Sequence, residues 1–213
     1  EAGHEYFRYY KDSGILLSTN PVEIATPYTS SNLFKLQYAQ DADTMYITSN
    51  DYPQRKLTRS SHYLWSLAEV NFTGGPWAPD NSDSAAYIKA SSHSVGACIV
   101  YASANATFVA GHSGSLFRIG TSNGYVRITG ITGTSANATV VTALQSAAAT
   151  GYTTNWAEGA WSVKNGFPAA VSFFEQRLYF AGTTSEPQTI WGSTVLDYEN
   201  FTHGTLDDDA VSF

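Results

Sequence analysis

The chain has 213 residues and carries 18 Asp and Glu against 11 Lys and Arg, a formal net charge of −7. That balance argues against a general nucleic-acid-coating protein, which is basic. The single cysteine, Cys98, excludes an intrachain disulfide framework and any multi-cysteine metal cluster. Charged residues are only 14% of the chain while hydrophobic residues are 43%, a composition that folds rather than stays disordered. No apolar run approaches the roughly 20 residues of a membrane span. The sequence opens on Glu1 with neither an initiator methionine nor a leader pattern, and reads as a piece of something longer.

The periodicity is that of strands. Tyr6-Phe7-Arg8-Tyr9-Tyr10, a polar turn ending in Gly14, and Ile15-Leu16-Leu17 predict a hairpin. Ser30, Ser31 and Asn32 are N-cap residue types standing before Leu33, Leu36 and Gln37, which predicts one short helix over 30–40. Met45-Tyr46-Ile47-Thr48, Ala97-Cys98-Ile99-Val100-Tyr101, Tyr125-Val126-Arg127-Ile128-Thr129 and Ala138-Thr139-Val140-Val141 are short β-branched and aromatic runs. Clusters of Ser, Thr, Asn and Gly separate them, the pattern of an all-β protein. The Ala-rich stretch 144–150 allows one further helical turn.

A weak internal repeat organises these strands. Ala39–Ile47, Pro53-Gln54, Leu57, Ser60 and Asn71-Phe72-Thr73 are followed later by Phe174–Phe180, Pro187-Gln188, Ile190, Ser193 and Asn200-Phe201-Thr202. Each copy reads as a sheet unit of two to four antiparallel strands that cannot bury its face alone. Such units stack as propeller blades or pack as a sandwich. Between them Gly74-Gly75-Pro76-Trp77 punctuates the chain, and 78–163 changes to a Ser/Ala/Thr/Gly-rich composition. The expected fold is therefore all-β: a partial propeller-like part formed by 1–77 and 164–213, with a small β-barrel or sandwich module, 78–163, inserted in it.

The run from Thr26-Pro27-Tyr28-Thr29 through Met45-Tyr46-Ile47 resembles the tail nozzle (tail tubular protein B-like) family of short-tailed bacteriophages and prophages. Three further stretches carry the likeness in the same order. They are Tyr52–Arg59, then Phe117-Arg118-Ile119 with Tyr125–Thr129, and Gly166–Gly182 continuing through Pro187–Ser193 to Asp207-Asp208-Asp209-Ala210. The resemblance implies a structural virion protein of the phage tail, made in the bacterial host cytoplasm. It implies a closed ring, a hexamer, seated below the portal and adaptor, whose channel DNA crosses during ejection. Members of the family are much longer, so the remaining propeller and the distal tip would lie outside this sequence.

The residues themselves offer little chemistry. His4, His62, His93, His112 and His203 are scattered with no metal-ligand spacing. Asp207-Asp208-Asp209 lacks the alternating oxygen ligands of a calcium loop and reads as a solvated acidic turn. His112-Ser113-Gly114-Ser115 lacks the Gly-x-Ser-x-Gly elbow of a nucleophilic serine and reads as a turn between strands. Glu158, Glu175, Asp197 and Glu199 could supply a glycosidase pair, but nothing in the sequence places two of them across a cleft. The sequon matches at Asn71, Asn105, Asn137 and Asn200 arise by composition in a chain rich in Asn and Thr. Cys98 and Trp77, Trp156, Trp161 and Trp191 read as packing residues. The expectation is a chain with no catalytic, cofactor or metal site.

The densest basic cluster is Arg55, Lys56 and Arg59, with Tyr52, Tyr63 and Trp65 nearby. Basic groups interleaved with aromatics can grip nucleic acid. They also serve as a solvated strand edge or an inter-subunit contact, and a net-negative conduit repels phosphate. The alternative to the conduit is a carbohydrate-binding or carbohydrate-cleaving β-protein of the tail-fibre kind, for which exposed Trp and Tyr with carboxylates would be suited.

Overall fold

The computed structural model describes residues 1–103 and 108–213, and only the backbone of Ala148 and Thr150. The sequon at Asn105 lies outside the described residues. Short β-branched and aromatic runs build five antiparallel sheets, and the helical pieces among the described residues are single turns. The fold is all-β.

At the start of the chain β1 (Ala2–Gly3), β2 (Tyr6–Arg8), β3 (Tyr10–Lys11), β4 (Gly14–Ile15) and β5 (Glu23–Ala25) follow one another closely. The expected hairpin is present only at its tip, where β3 pairs with β4 through Asp12 and Ser13, both at positive φ (52° and 64°). Tyr6–Arg8 leaves that hairpin and instead joins a three-stranded sheet of order β1-β2-β5. Burial drives the split: Phe7 is buried against Tyr28, Ile47 and Leu57, whereas Tyr10, Ile15 and Leu17 stay exposed. The helix expected over 30–40 shrinks to one 3₁₀ turn, Leu33–Lys35. Asn32 spends its side-chain oxygen on Thr29 and Tyr52 instead of capping that turn, and residues from Gln37 onward are claimed by strand pairing.

β6 (Gln37–Asp41), β7 (Thr44–Ser49), β8 (Tyr52–Ser61) and β9 (Leu64–Glu69) form a four-stranded meander in sequence order. β7 is buried on both faces. Met45 and Ile47 face the N-terminal core with Phe7, Tyr28 and Leu57, and Tyr46 faces a second core. Alternation along one strand thus serves two layers.

The next sheet contains β10 (Ile88–Ala90), β11 (Gly96–Ala102), β12 (Leu116–Ile119), β13 (Tyr125–Thr132), β14 (Ser135–Thr142) and β15 (Trp156–Glu158). The single helical turn α1 (Ser146–Thr150) precedes β15. The order is β10-β11-β14-β13-β12-β15, curled around one core that includes Ile88, Val100, Phe117, Ile119, Val126, Ile128 and Val140. The curl brings its two ends together: Ile88 and Thr153 exchange backbone hydrogen bonds of 3.0 and 2.8 Å. Cys98 is a small buried member of this core. The chain enters and leaves the sheet side by side, Trp77 bridging Gly159 and Pro76 accepting from the Ala160 N–H.

β16 (Ala170–Phe174), β17 (Arg177–Ala181), β18 (Ile190–Gly192) and β19 (Val211–Ser212) form a second four-stranded meander in sequence order. It shares the second core with the first meander through Tyr46, Phe72, Leu178, Phe180, Trp191 and Phe201. Trp161 lies among these rings, with centroids 4.9–5.8 Å from Phe72, Phe180, Trp191 and Phe201. Edge-to-face aromatic pairs of this kind contribute roughly 0.5–1.5 kcal/mol each beyond area burial.

The repeat acquires a physical meaning here, with one change. Asn71-Phe72-Thr73 follows the fourth strand of the first meander, but Asn200-Phe201-Thr202 precedes the fourth strand of the second. The copies therefore correspond through their first three strands and part at the fourth. Instead the two tripeptides pair with each other. Thr73 and Asn200 form a parallel bridge, and Phe72 and Phe201 meet at 5.4 Å. Gly74 makes the approach possible: its φ is +68°, and a Cβ there would stand 2.7 Å from the Thr202 backbone nitrogen.

Candidate functional site

Arg55, Lys56 and Arg59 all lie on β8, where side chains alternate between faces. Arg55 and Arg59 share the N-terminal face with Leu57, and Lys56 points to the opposite face beside Tyr46. The structure therefore does not gather the three into one patch. It gives each a carboxylate: Arg55 pairs with Glu69, Lys56 with Glu199 and Arg59 with Asp43, each at 2.6 Å. The Arg55 partner sits directly across the ladder on β9, the Arg59 partner in the β6–β7 turn. The Lys56 partner comes from the second meander, where Glu199 also accepts from the Tyr46 hydroxyl at 3.1 Å. Charge that the sequence displays as a basic run is spent inside the fold, and Lys56–Glu199 ties the two meanders together.

The titratable cluster with the most burial is His112, Glu158 and Lys164. The His112 ring is almost fully buried; its Nδ1 accepts the Val109 N–H at 3.1 Å, which leaves the proton on Nε2. Nε2 stands 3.4 Å from Glu158 Oε2, long and poorly directed for a hydrogen bond. Lys164 Nζ holds both Glu158 oxygens at 2.7 and 2.8 Å. Burial pushes the Glu158 carboxyl up, but the facing His112 ring and Lys164 ammonium outweigh it and hold the group down at about 2. Ser115 donates its hydroxyl to the His112 carbonyl, not to the ring. The His112–Ser115 stretch is thus a turn into β12 with no contact between base and nucleophile.

The remaining candidates are structural in their surroundings. Glu158 and Glu199 are each engaged as described, while Glu175 and Asp197 are exposed in separate turns. Asp207, Asp208 and Asp209 lie in the loop before β19, and the backbone carbonyls of Asp207 and Asp209 accept from the buried Arg177 guanidinium. A third Arg177 bond goes to the Ser193 carbonyl at 2.6 Å. Sequence reasoning read the aspartates as a solvated turn and gave Arg177 no role. A lone Arg in an apolar strand is the signal that could have found it. Among the described residues, no three His, Cys, Asp or Glu side chains are placed to hold a metal ion.

A cleft of about 500 Å³ opens where the first meander meets the curled sheet, walled by Gln54, Val70, Phe72, Leu116, Arg127 and Trp161 among others. Arg127 reaches across the junction to the Asn71 side-chain oxygen (2.7 Å) and to the Gly114 carbonyl (3.1 Å). Its guanidinium is pulled down by burial. These bonds make Arg127 a strut between β13 and the segment after β9. No helix of the described residues is long and apolar enough to cross a membrane. No family model and no curated protein matches the chain.

Proposed function

We propose that this chain is a structural component of a short-tailed phage virion, part of a ring-forming nozzle through which DNA leaves the capsid. The observation that carries the reading is how the family-like stretches are used. Residues 26–47, 52–59, 166–182 and 187–193 lie on the two meanders and the segments leading into their strands, and 207–210 lies just before β19. Residues 117–119 and 125–129 lie on β12 and β13 of the curled sheet. The two meanders stack on one aromatic core. Four-stranded meanders are the units from which propellers are assembled. The neutralised Arg55, Lys56 and Arg59 fit a wall past which phosphate slides, because no free cationic face remains on β8 to hold it. In this reading a longer protein completes the propeller, and copies join head to tail into a closed ring that docks on portal and adaptor proteins.

The test is electron microscopy and light scattering of the whole protein encoded by the gene, with and without the portal–adaptor complex. A closed ring, stabilised by that complex, is the expected result. A tight two-fold dimer that persists in the whole protein contradicts the reading, because an isologous pair leaves no channel.

A further inference from the structure

We propose that a tyrosine-walled lysine on the outer face of the curled sheet, formed by Tyr87, Lys89, Tyr101 and Tyr152, is a binding site for an acidic saccharide. Ile88 points inward to the core, so alternation sends Tyr87 and Lys89 outward together. Lys89 lies directly opposite Tyr101 on β11. On its other side the Ile88–Thr153 bridge that closes the curl delivers Tyr152. The ammonium is held 5.6 Å from the Tyr101 ring centre and 4.8 Å from that of Tyr152. Tyr87 meets Tyr152 edge to face at 5.2 Å. The three tyrosines are 40%, 37% and 50% exposed, in the order Tyr87, Tyr101, Tyr152.

Two features separate this patch from ordinary surface packing. Lys35, Lys56 and Lys164 each hold a carboxylate, whereas Lys89, like Lys11 on β3, forms no ion pair among the described residues, and of these two only Lys89 stands against aromatic rings. The three phenol hydroxyls likewise make no hydrogen bond among the described residues, unlike those of Tyr6, Tyr10, Tyr46, Tyr52, Tyr125 and Tyr198. The patch therefore presents ring faces, three hydroxyls and one uncompensated cation on strands that fix their spacing. A pyranose offers the complementary set, with apolar C–H faces for the rings and hydroxyls for the phenols. A carboxylate on that sugar supplies the missing counter-charge. Single-stranded nucleic acid also stacks on aromatics, but it needs a cationic groove along its backbone, and here one lysine stands on a chain of net charge −7.

The proposal is independent of the conduit reading and is tested on the chain itself by NMR titration. The probes are 3′-sialyllactose and a hyaluronan tetrasaccharide, with lactose and a short oligothymidylate as controls. At least one acidic saccharide is expected to shift the amide resonances of 87–89 and 101 saturably, with a Kd of about 1 mM. Lactose is expected to bind about tenfold more weakly. Lys89→Met should remove the preference for the acidic sugar over lactose, and Tyr152→Ala should weaken both. If Tyr152→Ala unfolds the closure of the sheet, Lys89→Met with Tyr101→Ser carries the same test. The proposal is overturned if neither acidic saccharide gives a saturable shift up to about 10 mM. Shifts that map elsewhere, or survive Lys89→Met unchanged, overturn it too, as does tighter binding of the oligonucleotide.

Discussion

Arg177 shows how much of this fold rests on single side chains. Its buried guanidinium donates to three backbone carbonyls, those of Ser193, Asp207 and Asp209, and so pins the long connection between β18 and β19. Hydrogen bonds from a charged donor contribute more than neutral ones, and a carbonyl left without a partner keeps its desolvation cost. Arg177→Met is expected to lower stability by about 3 kcal/mol, read as a lower urea midpoint. Arg177→Lys should recover little of it, because one ammonium cannot reproduce the planar fork. Glu158 gives the pH-dependent counterpart. Its folded-state pKa of about 2 lies below the ordinary 4.5. Its contribution is therefore complete above pH 4.5 and is lost as pH falls toward 2. A shift of that size corresponds to at most about 3 kcal/mol. Denaturant midpoints measured across that window should fall steeply for the wild-type chain and less steeply for Glu158→Gln, which starts lower at neutral pH.

At the scale of elements, the β16–β17 turn carries avoidable strain. Phe174 pairs with Arg177 across the two residues Glu175 and Gln176, both at positive φ (45° and 61°). That is the type I′ geometry for which Asn-Gly is the favoured pair. The double change Glu175→Asn with Gln176→Gly is expected to stabilise the chain by about 1–2 kcal/mol, seen as a rise of roughly 2–8 °C in Tm. Gly74→Ala should do the reverse, because the added methyl meets the Thr202 backbone; calorimetry of the two variants side by side would show the opposite signs.

The elements were also where the sequence spoke most clearly. Met45–Thr48, Ala97–Tyr101, Tyr125–Thr129 and Ala138–Val141 all lie within strands, since β-branched and aromatic residues suit a pleated, half-buried surface. The 30–40 segment failed because cap-type residues announce a helix only when no partner strand competes, and β7 does compete. The candidate site was far less legible. Whether Lys56 is free or paired depends on Glu199, 143 positions away, and no local pattern encodes that. Lys89 has no local signature, because Tyr101 on β11 and Tyr152 are brought to it only by the curl.

On the scale of the whole molecule, association follows from the surface. Heterologous ring contacts need two different complementary patches, and interfaces below about 1,000 Å² rarely hold in dilute solution. The acidic charge adds mutual repulsion that salt weakens. This chain alone is expected to scatter as a monomer or a weak associate, shifting toward association as salt is added. A tight dimer at low salt would show that one of its exposed faces is already a complete interface.

The parallel bridge between the two Asn-Phe-Thr tripeptides also sets a timetable for the chain's birth. Thr73 receives its partner from a strand segment 126 residues downstream. At about 5–20 residues per second on the ribosome, that interval is roughly 6–25 s. Throughout it the first meander has emerged with Tyr46 and Phe72 uncovered, because the rings that bury them have not yet been made. The curled sheet, whose core is drawn entirely from 86–144 with Trp156 against it, can form during the wait. Once formed, it holds Trp77 beside Gly159 and leaves only a short tether to close. The curled sheet, which looks like an ornament between the two meanders of the finished molecule, is thus expected to act during synthesis as the spacer that delivers the second meander to the first.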